Sequence, residues 1–123
     1  MLLVDSSVWM DHLRVPDPAL QSYLRDENVL CHAFVIGEIA MGSLRDRKET
    51  VAMLDQLPIP HEARHDEVMT LVENEALFSR GLSWIDAHLL ASTLITPGAR
   101  LWTRDKRLMD AARELGVAAH LAN

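Results

Sequence analysis

The order of apolar and polar positions along the chain predicts short strands that alternate with helices. Short runs typical of strands cover residues 2–4, 29–31 and 100–103, and the first two are apolar throughout, as in a strand that is buried on both faces. A helical pattern follows each run, and a last strand is predicted through residues 117–119. Strands that alternate with helices are typical of βαβ units. We therefore predict an α/β fold: a central, mostly parallel sheet with helices on both faces.

Helical spacing and capping signals place the helices between these strands. They are predicted over about residues 6–13, 34–44, 47–57, 64–78, from 83 onward, and from 105 to a stop at Gly116. Pro16 and Pro18 predict a loop between the first helix and the second strand. The pattern contains no repeat and no linker, so residues 1–123 are predicted to form a single domain.

Composition and charge narrow the class of protein. Hydrophobic residues make up 49% of the 123 positions, and the single cysteine, Cys31, has no partner for an internal disulfide. The first residues lack the basic segment of a signal peptide, and no apolar stretch approaches the roughly 20 residues that span a bilayer. We expect a soluble, cytoplasmic protein with no membrane partner. The net charge of −6 argues against broad electrostatic binding of nucleic acid, but not against an enzyme that reaches phosphates through a metal ion.

Four acidic residues occupy one kind of position in this pattern: Asp5, Glu38, Asp86 and Asp105. Each is predicted at the end of a strand or near the start of a helix. In an open parallel sheet these positions lie along one edge, where the ligand crevice forms. Carboxylates gathered there repel, and protons or a hard divalent cation would have to neutralise them. A set of oxygen ligands without cysteine or paired histidine favours Mg²⁺ or Mn²⁺ over zinc.

Each acid also has a local explanation that requires no ligand. Asp5 can accept hydrogen bonds from the free N–H groups of the next helix, and Asp105 is a good N-cap. Ser83 and Asp86 have the spacing of a capping box. Glu38, in the predicted first turn of its helix, would complement the helix dipole. Apolar neighbours nevertheless place Asp5 and Glu38 in a partly desolvated site.

Four short motifs, in this order along the whole chain, together resemble the PIN domain. They are Val4-Asp5-Ser6-Ser7, Val35-Ile36-Gly37-Glu38-Ile39 with Gly42 after it, Asp86 before an apolar helix, and Leu101-Trp102-Thr103-Arg104-Asp105. More narrowly, the chain resembles the VapC-type ribonuclease toxins of bacterial toxin–antitoxin pairs. Each motif is weak alone, and their order and spacing carry the resemblance.

The resemblance implies metal-assisted hydrolysis of RNA by a PIN-like domain that requires Mg²⁺ or Mn²⁺. The four acids would form the catalytic set, with Asp5, Asp86 and Asp105 as metal ligands. Whether Glu38 and Asp86 bind the metal directly or through water stays open. Ser7 and Thr103 would orient a carboxylate or a water.

The resemblance also bears on further positions and on partners. Many relatives carry a further acid after the position of Asp105, but here Lys106, Arg107 and Leu108 follow. This departure argues against a second tightly held metal, and Lys106 and Arg107 could hold the RNA backbone instead. The implied partners are the RNA substrate, a second copy of the chain in a homodimer, and a small antitoxin that blocks the site.

Two other functions compete with this interpretation. Residues 61–65 match the H-E-x-x-H pattern of zinc peptidases through His61, Glu62 and His65. Pro60 directly before the motif, however, puts His61 at or outside the helix start, where the geometry of the two ligands is not secured. The second alternative is a catalytically silent α/β binding module in which the four acids serve only as helix caps.

The three tryptophans each lie within four residues of a candidate site acid: Trp9, Trp84 and Trp102. Core packing is the ordinary role of such residues, and stacking on an RNA base is the alternative for one of them.

Overall fold

The computed structural model describes residues 1–121 and confirms the predicted α/β class. Its strands are β1 (Leu2–Val4), β2 (Val29–Leu30) and β3 (Arg100–Trp102), and they form a parallel sheet in the order β2-β1-β3. The sheet is flanked by helices, which in the described residues are α1 (Ser6–Arg14), α2 (Pro18–Arg25), α3 (Ala33–Ala40), α4 (Arg47–Asp55), α5 (His65–Asn74), α6 (Trp84–Ile95) and α7 (Lys106–Glu114).

Strand β1 is the centre of the sheet and of the core. It pairs with β2 on one side and with β3 on the other, and the side chains of Leu3 and Val4 are both fully buried. Because successive side chains of a strand point to opposite faces, burial of both means that both faces of the sheet are covered. Val4 pairs with Trp102, so the residues that follow β1 and β3 are neighbours at one edge.

The predicted loop at Pro16 and Pro18 was wrong in its second half, where the structure has helix α2. Pro18 is the first residue of this helix, and Asp17 caps it by accepting hydrogen bonds from the N–H groups of Ala19 at 2.9 Å and Leu20 at 3.2 Å. Proline suits this position, since its fixed φ is helical and the N–H it lacks would have no partner there.

Three boundaries also differ from the predicted pattern. Helix α3 begins at Ala33, so Glu38 lies in its second half rather than in its first turn. Helix α5 ends at Asn74 instead of reaching Phe78, and Ala76 shortly after it has a positive φ of 50°. The last predicted strand is reduced to one parallel bridge between Leu101 and Ala118. The stop at Gly116 is confirmed, since its φ of 74° is the left-handed conformation that ends α7.

Several large apolar side chains remain at the surface: Val15, Phe34, Met41, Ile59, Phe78 and Trp84. Met41, at the end of α3, is 89% exposed. Phe34, Met41 and Trp84 line one apolar groove together with Glu38. Among residues 1–121, no helix combines the length and the apolar character that crossing a membrane requires.

Candidate active site

The carboxylate of Asp5 lies at the carboxyl end of the central strand and is 5% exposed. Its Oδ2 accepts hydrogen bonds from the hydroxyl groups of Ser7 and Thr103, both at 2.7 Å, and a longer one of 3.4 Å from the Ser7 N–H. Its Oδ1 has one contact among the described residues, a 3.5 Å hydrogen bond from the Ser6 hydroxyl. The protein thus holds the carboxylate firmly by one oxygen and leaves the other open.

The hydroxyl groups of Ser7 and Thr103, which donate to Asp5, accept hydrogen bonds in turn from backbone groups of the β3–α7 junction. The Arg104 N–H donates to Ser7 Oγ at 3.0 Å, and the Asp105 N–H donates to Thr103 Oγ1 at 3.0 Å. Each hydroxyl therefore accepts from an amide and donates to the carboxylate. The junction between β3 and α7 in this way fixes the orientation of a side chain that follows β1.

Asp86 and Asp105 each use one carboxylate oxygen as a helix cap. Asp86 Oδ2 accepts from the Ser83 N–H at 2.9 Å, and the Asp86 N–H donates to Ser83 Oγ at 3.0 Å, which confirms the capping box at the start of α6. Asp105 Oδ1 accepts from the Leu108 N–H at 3.1 Å at the start of α7. In the described part of the chain, the second oxygen of each carboxylate has no hydrogen bond, so each carboxylate keeps one oxygen that could bind a ligand.

The electrostatic coupling of the four acids places them at one site. Partial burial is the main cause that raises the pKa of Asp86, and the charges of Asp5 and Asp105 raise it further against the hydrogen bonds of Ser83. Partial burial is also the main cause that raises the pKa of Glu38, with Asp5 and Asp86 adding to it and the Ser6 hydroxyl opposing it. Glu38 itself lies exposed at the rim. Side chains separated by up to 81 residues in sequence, as for Asp5 and Asp86, therefore repel one another in space, as the sequence pattern predicts.

The donor set fits a hard divalent cation better than a soft one. Within residues 1–121, no group of three or more His, Cys, Asp or Glu side chains is placed so that it could hold a metal ion by itself. Mg²⁺ does not require three protein ligands, because it keeps several waters and is held by one or two carboxylates together with substrate phosphates. The open oxygens of Asp5, Asp86 and Asp105 are of that kind. Their roles as metal ligands, and the orienting roles of Ser7 and Thr103, remain predictions.

The basic residues near the site differ in how far they are engaged. The Lys106 ammonium makes an exposed ion pair with Asp110 at 3.2 Å, and its side chain is 88% exposed. The Arg107 side chain packs over Gly81, where an added Cβ would lie 2.4 Å from the guanidinium. Both stand in the first turn of α7, directly after Asp105, so contact with an RNA backbone remains a prediction for both.

The H-E-x-x-H motif does not form a helical pair of ligands. His61 and Glu62 precede α5, which begins only at His65. The His61 N–H donates to Thr96 Oγ1 at 2.9 Å, and the His65 ring packs against Trp84 with centroids 5.2 Å apart. Because two zinc ligands at this spacing must share a helix face, the structure argues against the zinc-peptidase interpretation.

Two of the three tryptophans pack in the core, which is the ordinary role of such residues, and the third is exposed. Trp9 and Trp102 are buried in the core, at 0% and 3% exposure. Trp84, in the first turn of α6 and two residues before Asp86, is 40% exposed.

An arginine that the sequence pattern did not single out connects the β3–α7 junction with α1 and with the N-cap of α2. The Arg104 guanidinium binds Asp11 at 2.9 Å and also binds Asp17, across 93 and 87 residues of chain. The sequence shows Arg104 only inside the motif Leu101-Trp102-Thr103-Arg104-Asp105, with no role assigned to it. No periodicity links it to the two acids, so only the structure could reveal the interaction.

The fold and the acidic edge define the class of protein: an α/β domain of the PIN type with four coupled carboxylates at the carboxyl end of a parallel sheet. No family model matches the chain. It is 48% identical over 121 residues to proteins named Ribonuclease VapC32 from two strains of Mycobacterium tuberculosis, and the match covers 96% of this chain and 95% of theirs. The chain therefore belongs to the VapC family of ribonucleases.

Substituting Glu38 by Gln is expected to raise the melting temperature of the metal-free protein at pH 7 and to leave it unchanged near pH 3.5. The raised pKa of Glu38 means that the folded protein binds this proton more tightly than the unfolded chain does. Stability from this group is present at low pH and is lost as the pH rises through the folded pKa. Glutamine carries no charge at any pH, so the difference from wild type should open above about pH 4.

Thermal unfolding followed by circular dichroism between pH 3.5 and 8, in the presence of a chelator, measures this difference. Glu73→Gln on the exposed part of α5 is the matched control, and it should not show the same rise with pH. A Glu38→Gln difference that is independent of pH, or of opposite sign, would contradict the coupling of the carboxylates.

Proposed function

We propose that this protein is an endoribonuclease that requires Mg²⁺ or Mn²⁺ and acts as the toxin of a toxin–antitoxin pair. The observation that carries the proposal is the geometry at Asp5. Its Oδ2 is held by Ser7 and Thr103, its Oδ1 accepts only a 3.5 Å hydrogen bond from Ser6 among the described residues, and its charge acts on Glu38 and Asp86. Membership of a ribonuclease family supports RNA as the substrate.

The residues of the chain would divide the work in the following way. Asp5 and Asp105, with Asp86 directly or through water, would hold the cation. When bound, such a cation polarises the scissile phosphate, lowers the pKa of a bound water and offsets the charge on the leaving oxygen. Ser7 and Thr103 would keep Asp5 in one orientation, which is the preorganisation on which electrostatic catalysis depends. Lys106 and Arg107 would contact phosphates of the RNA backbone.

Glu38 has a different place in this scheme, at the exposed rim of the site. Partial burial is the main cause that raises the pKa of its carboxyl group above that of an ordinary glutamate. Glu38 would orient the attacking water or accept a proton from it. Substrate phosphate and cation binding would both change the charge that it experiences.

A basic side chain from an antitoxin would be attracted to the same acidic edge. The groove lined by Phe34, Met41 and Trp84 runs beside Glu38 and offers apolar surface next to that charge. We propose that the antitoxin covers this groove and places an Arg or Lys near the acids. Apolar contact with the groove and charge contact with the site would then act together.

Purified protein is expected to cleave RNA with Mg²⁺ or Mn²⁺, and Asp5→Asn should reduce the rate by about 100-fold or more. Asparagine keeps the shape of the side chain, and its amide oxygen can still accept hydrogen bonds from the Ser7 and Thr103 hydroxyl groups. The fold should therefore persist while the charge is lost. Rates on total RNA, with a chelator added to one set of reactions, measure this effect. Asp26→Asn at the exposed end of α2 is the control and should retain the wild-type rate. Full activity of Asp5→Asn, or in the presence of chelator, would refute the metal mechanism.

Induced expression of the wild-type protein is expected to arrest bacterial growth and to leave cleaved RNA, because the antitoxin is absent. Cells that express Asp5→Asn should grow normally with intact RNA. Growth curves together with RNA gels from the two cultures test the toxin role. Equal arrest by both proteins would show that toxicity does not come from the acidic site. Intact RNA and normal growth with soluble wild-type protein would favour the silent binding module.

The exposed apolar side chains support the proposal that the protein is a homodimer. Val15, Ile59 and Phe78 are 74%, 59% and 56% exposed, and association with a second copy would remove such apolar surface from water. Light scattering after size-exclusion chromatography is expected to give about twice the chain mass of 13.8 kDa. A monomer at micromolar concentration would overturn this proposal and would leave the nuclease mechanism untouched.

A further inference from the structure

Arg104 takes part in the site through its backbone and contacts distant elements through its side chain. Its N–H donates to Ser7 Oγ, the hydroxyl that holds Asp5 Oδ2. Its guanidinium points to other partners. The residue therefore connects the carboxylate at the end of β1 with elements outside the acidic set.

The guanidinium joins two separate parts of the chain. Nη1 donates to Asp11 Oδ2 in α1 at 2.9 Å, and Nη2 donates to Asp17 Oδ2 at the N-cap of α2. The guanidinium carbon also lies 5.7 Å from the centre of the Trp102 ring, within the range of a cation–π contact. A planar fork of donors suits such a bridge, and a lysine could not reproduce it.

The partner carboxylates are constrained in their turn. Asp17 uses Oδ1 to cap α2 and Oδ2 to bind Arg104. Asp11 uses Oδ1 for Arg14 at 3.0 Å and Oδ2 for Arg104. The Arg104 and Asp17 side chains are 30% and 17% exposed, so this pair is screened less than a surface ion pair. The guanidinium is thereby anchored, with both its Nη atoms engaged.

We propose that Arg104 is a positioning residue for the metal site. Its anchored side chain fixes residues 103–105, so that the two backbone amides hold the Ser7 and Thr103 hydroxyl groups on Asp5 Oδ2. Asp5 Oδ1 then stays directed at the cation. The engagement with Asp11 and Asp17 also keeps the positive charge of Arg104 from neutralising the acids that the cation needs. This inference rests on the proposed function, since it assigns Arg104 a role toward the metal of that same site.

Binding of Mn²⁺ alone to the full chain, measured by isothermal titration calorimetry or electron paramagnetic resonance, tests the inference without any cleavage assay. Removal of a group that orients a metal ligand costs about 10–100-fold in metal affinity. We expect Arg104→Gln and Ser7→Ala each to weaken Mn²⁺ binding by about tenfold. The double variant should lose little more than either single variant, because both changes act on the same carboxylate.

Arg80→Gln is the matched control. Arg80 also pairs with a distant carboxylate, Glu114, and is exposed to a similar degree, 32% compared with 30% for Arg104. It should change Mn²⁺ affinity by less than about twofold. If Arg104 only stabilised the fold, Arg104→Gln would lower the melting temperature, as Arg80→Gln could, without a selective loss of Mn²⁺ affinity.

The outcomes separate the positioning role from the proposed function. Loss of Mn²⁺ binding in Asp5→Asn together with wild-type affinity in Arg104→Gln would overturn the positioning role and leave the metal site standing. A double variant whose loss of Mn²⁺ affinity equals the product of the two single losses would also overturn the positioning role. Unchanged Mn²⁺ affinity in Asp5→Asn would overturn the metal site itself and the positioning role with it.

Two further variants cover the case in which Arg104→Gln does not fold. Arg104→Lys keeps the charge but not the fork, and Asp17→Asn removes one charged arm while retaining a side chain that can cap α2. Each should weaken Mn²⁺ binding several-fold in a folded protein. Wild-type affinity in both would refute the positioning role.

Discussion

Repulsion between carboxylates at the carboxyl edge of the sheet is the constraint on which the rest of this structure depends. Asp5 follows the central strand, and Glu38, Asp86 and Asp105 are brought to it by three helices. Such a group is unfavourable in the folded chain unless protons or a cation neutralise it. The elements around it are therefore best understood by how they hold charges together that would otherwise separate.

Helix capping meets part of this requirement. Asp5 and Asp105 each accept a hydrogen bond from an N–H group of the helix that they precede, and Asp86 in the first turn of α6 accepts one from the N–H of Ser83, the N-cap of that helix. These contacts compensate part of their charge and fix their position. Caps and ligands are often treated as alternative explanations for such residues. Among the described residues, the second oxygen of Asp86 and of Asp105 accepts no hydrogen bond and that of Asp5 accepts only the long one from Ser6, so the two explanations are compatible. Glu38, in the second half of α3, has no such support and lies at the exposed rim.

A network of neutral hydroxyls and distant charges orients the central carboxylate. Ser7 and Thr103 connect Asp5 to the amides of the β3–α7 junction, and the Arg104 side chain ties that junction to α1 and α2. Helix α2 lies where the two prolines predicted a loop. Its N-cap, Asp17, supplies one of the two carboxylates that bind Arg104. An element that carries none of the candidate acids thus contributes to the geometry of the site.

Local patterns in the sequence determined much of this protein: the alternation of strands and helices, the capping box of Ser83 and Asp86, the stop at Gly116, and the positions of Asp5, Asp86 and Asp105 next to or within the first turn of a helix. These features depend on residues a few positions apart, so periodicity and capping chemistry reveal them. Only the tertiary structure decided which helix turn presents Glu38 and that Arg104 meets Asp11 and Asp17. Those features depend on contacts between residues as many as 93 positions apart. Such contacts follow from the packing of whole elements on β1, which no local pattern encodes.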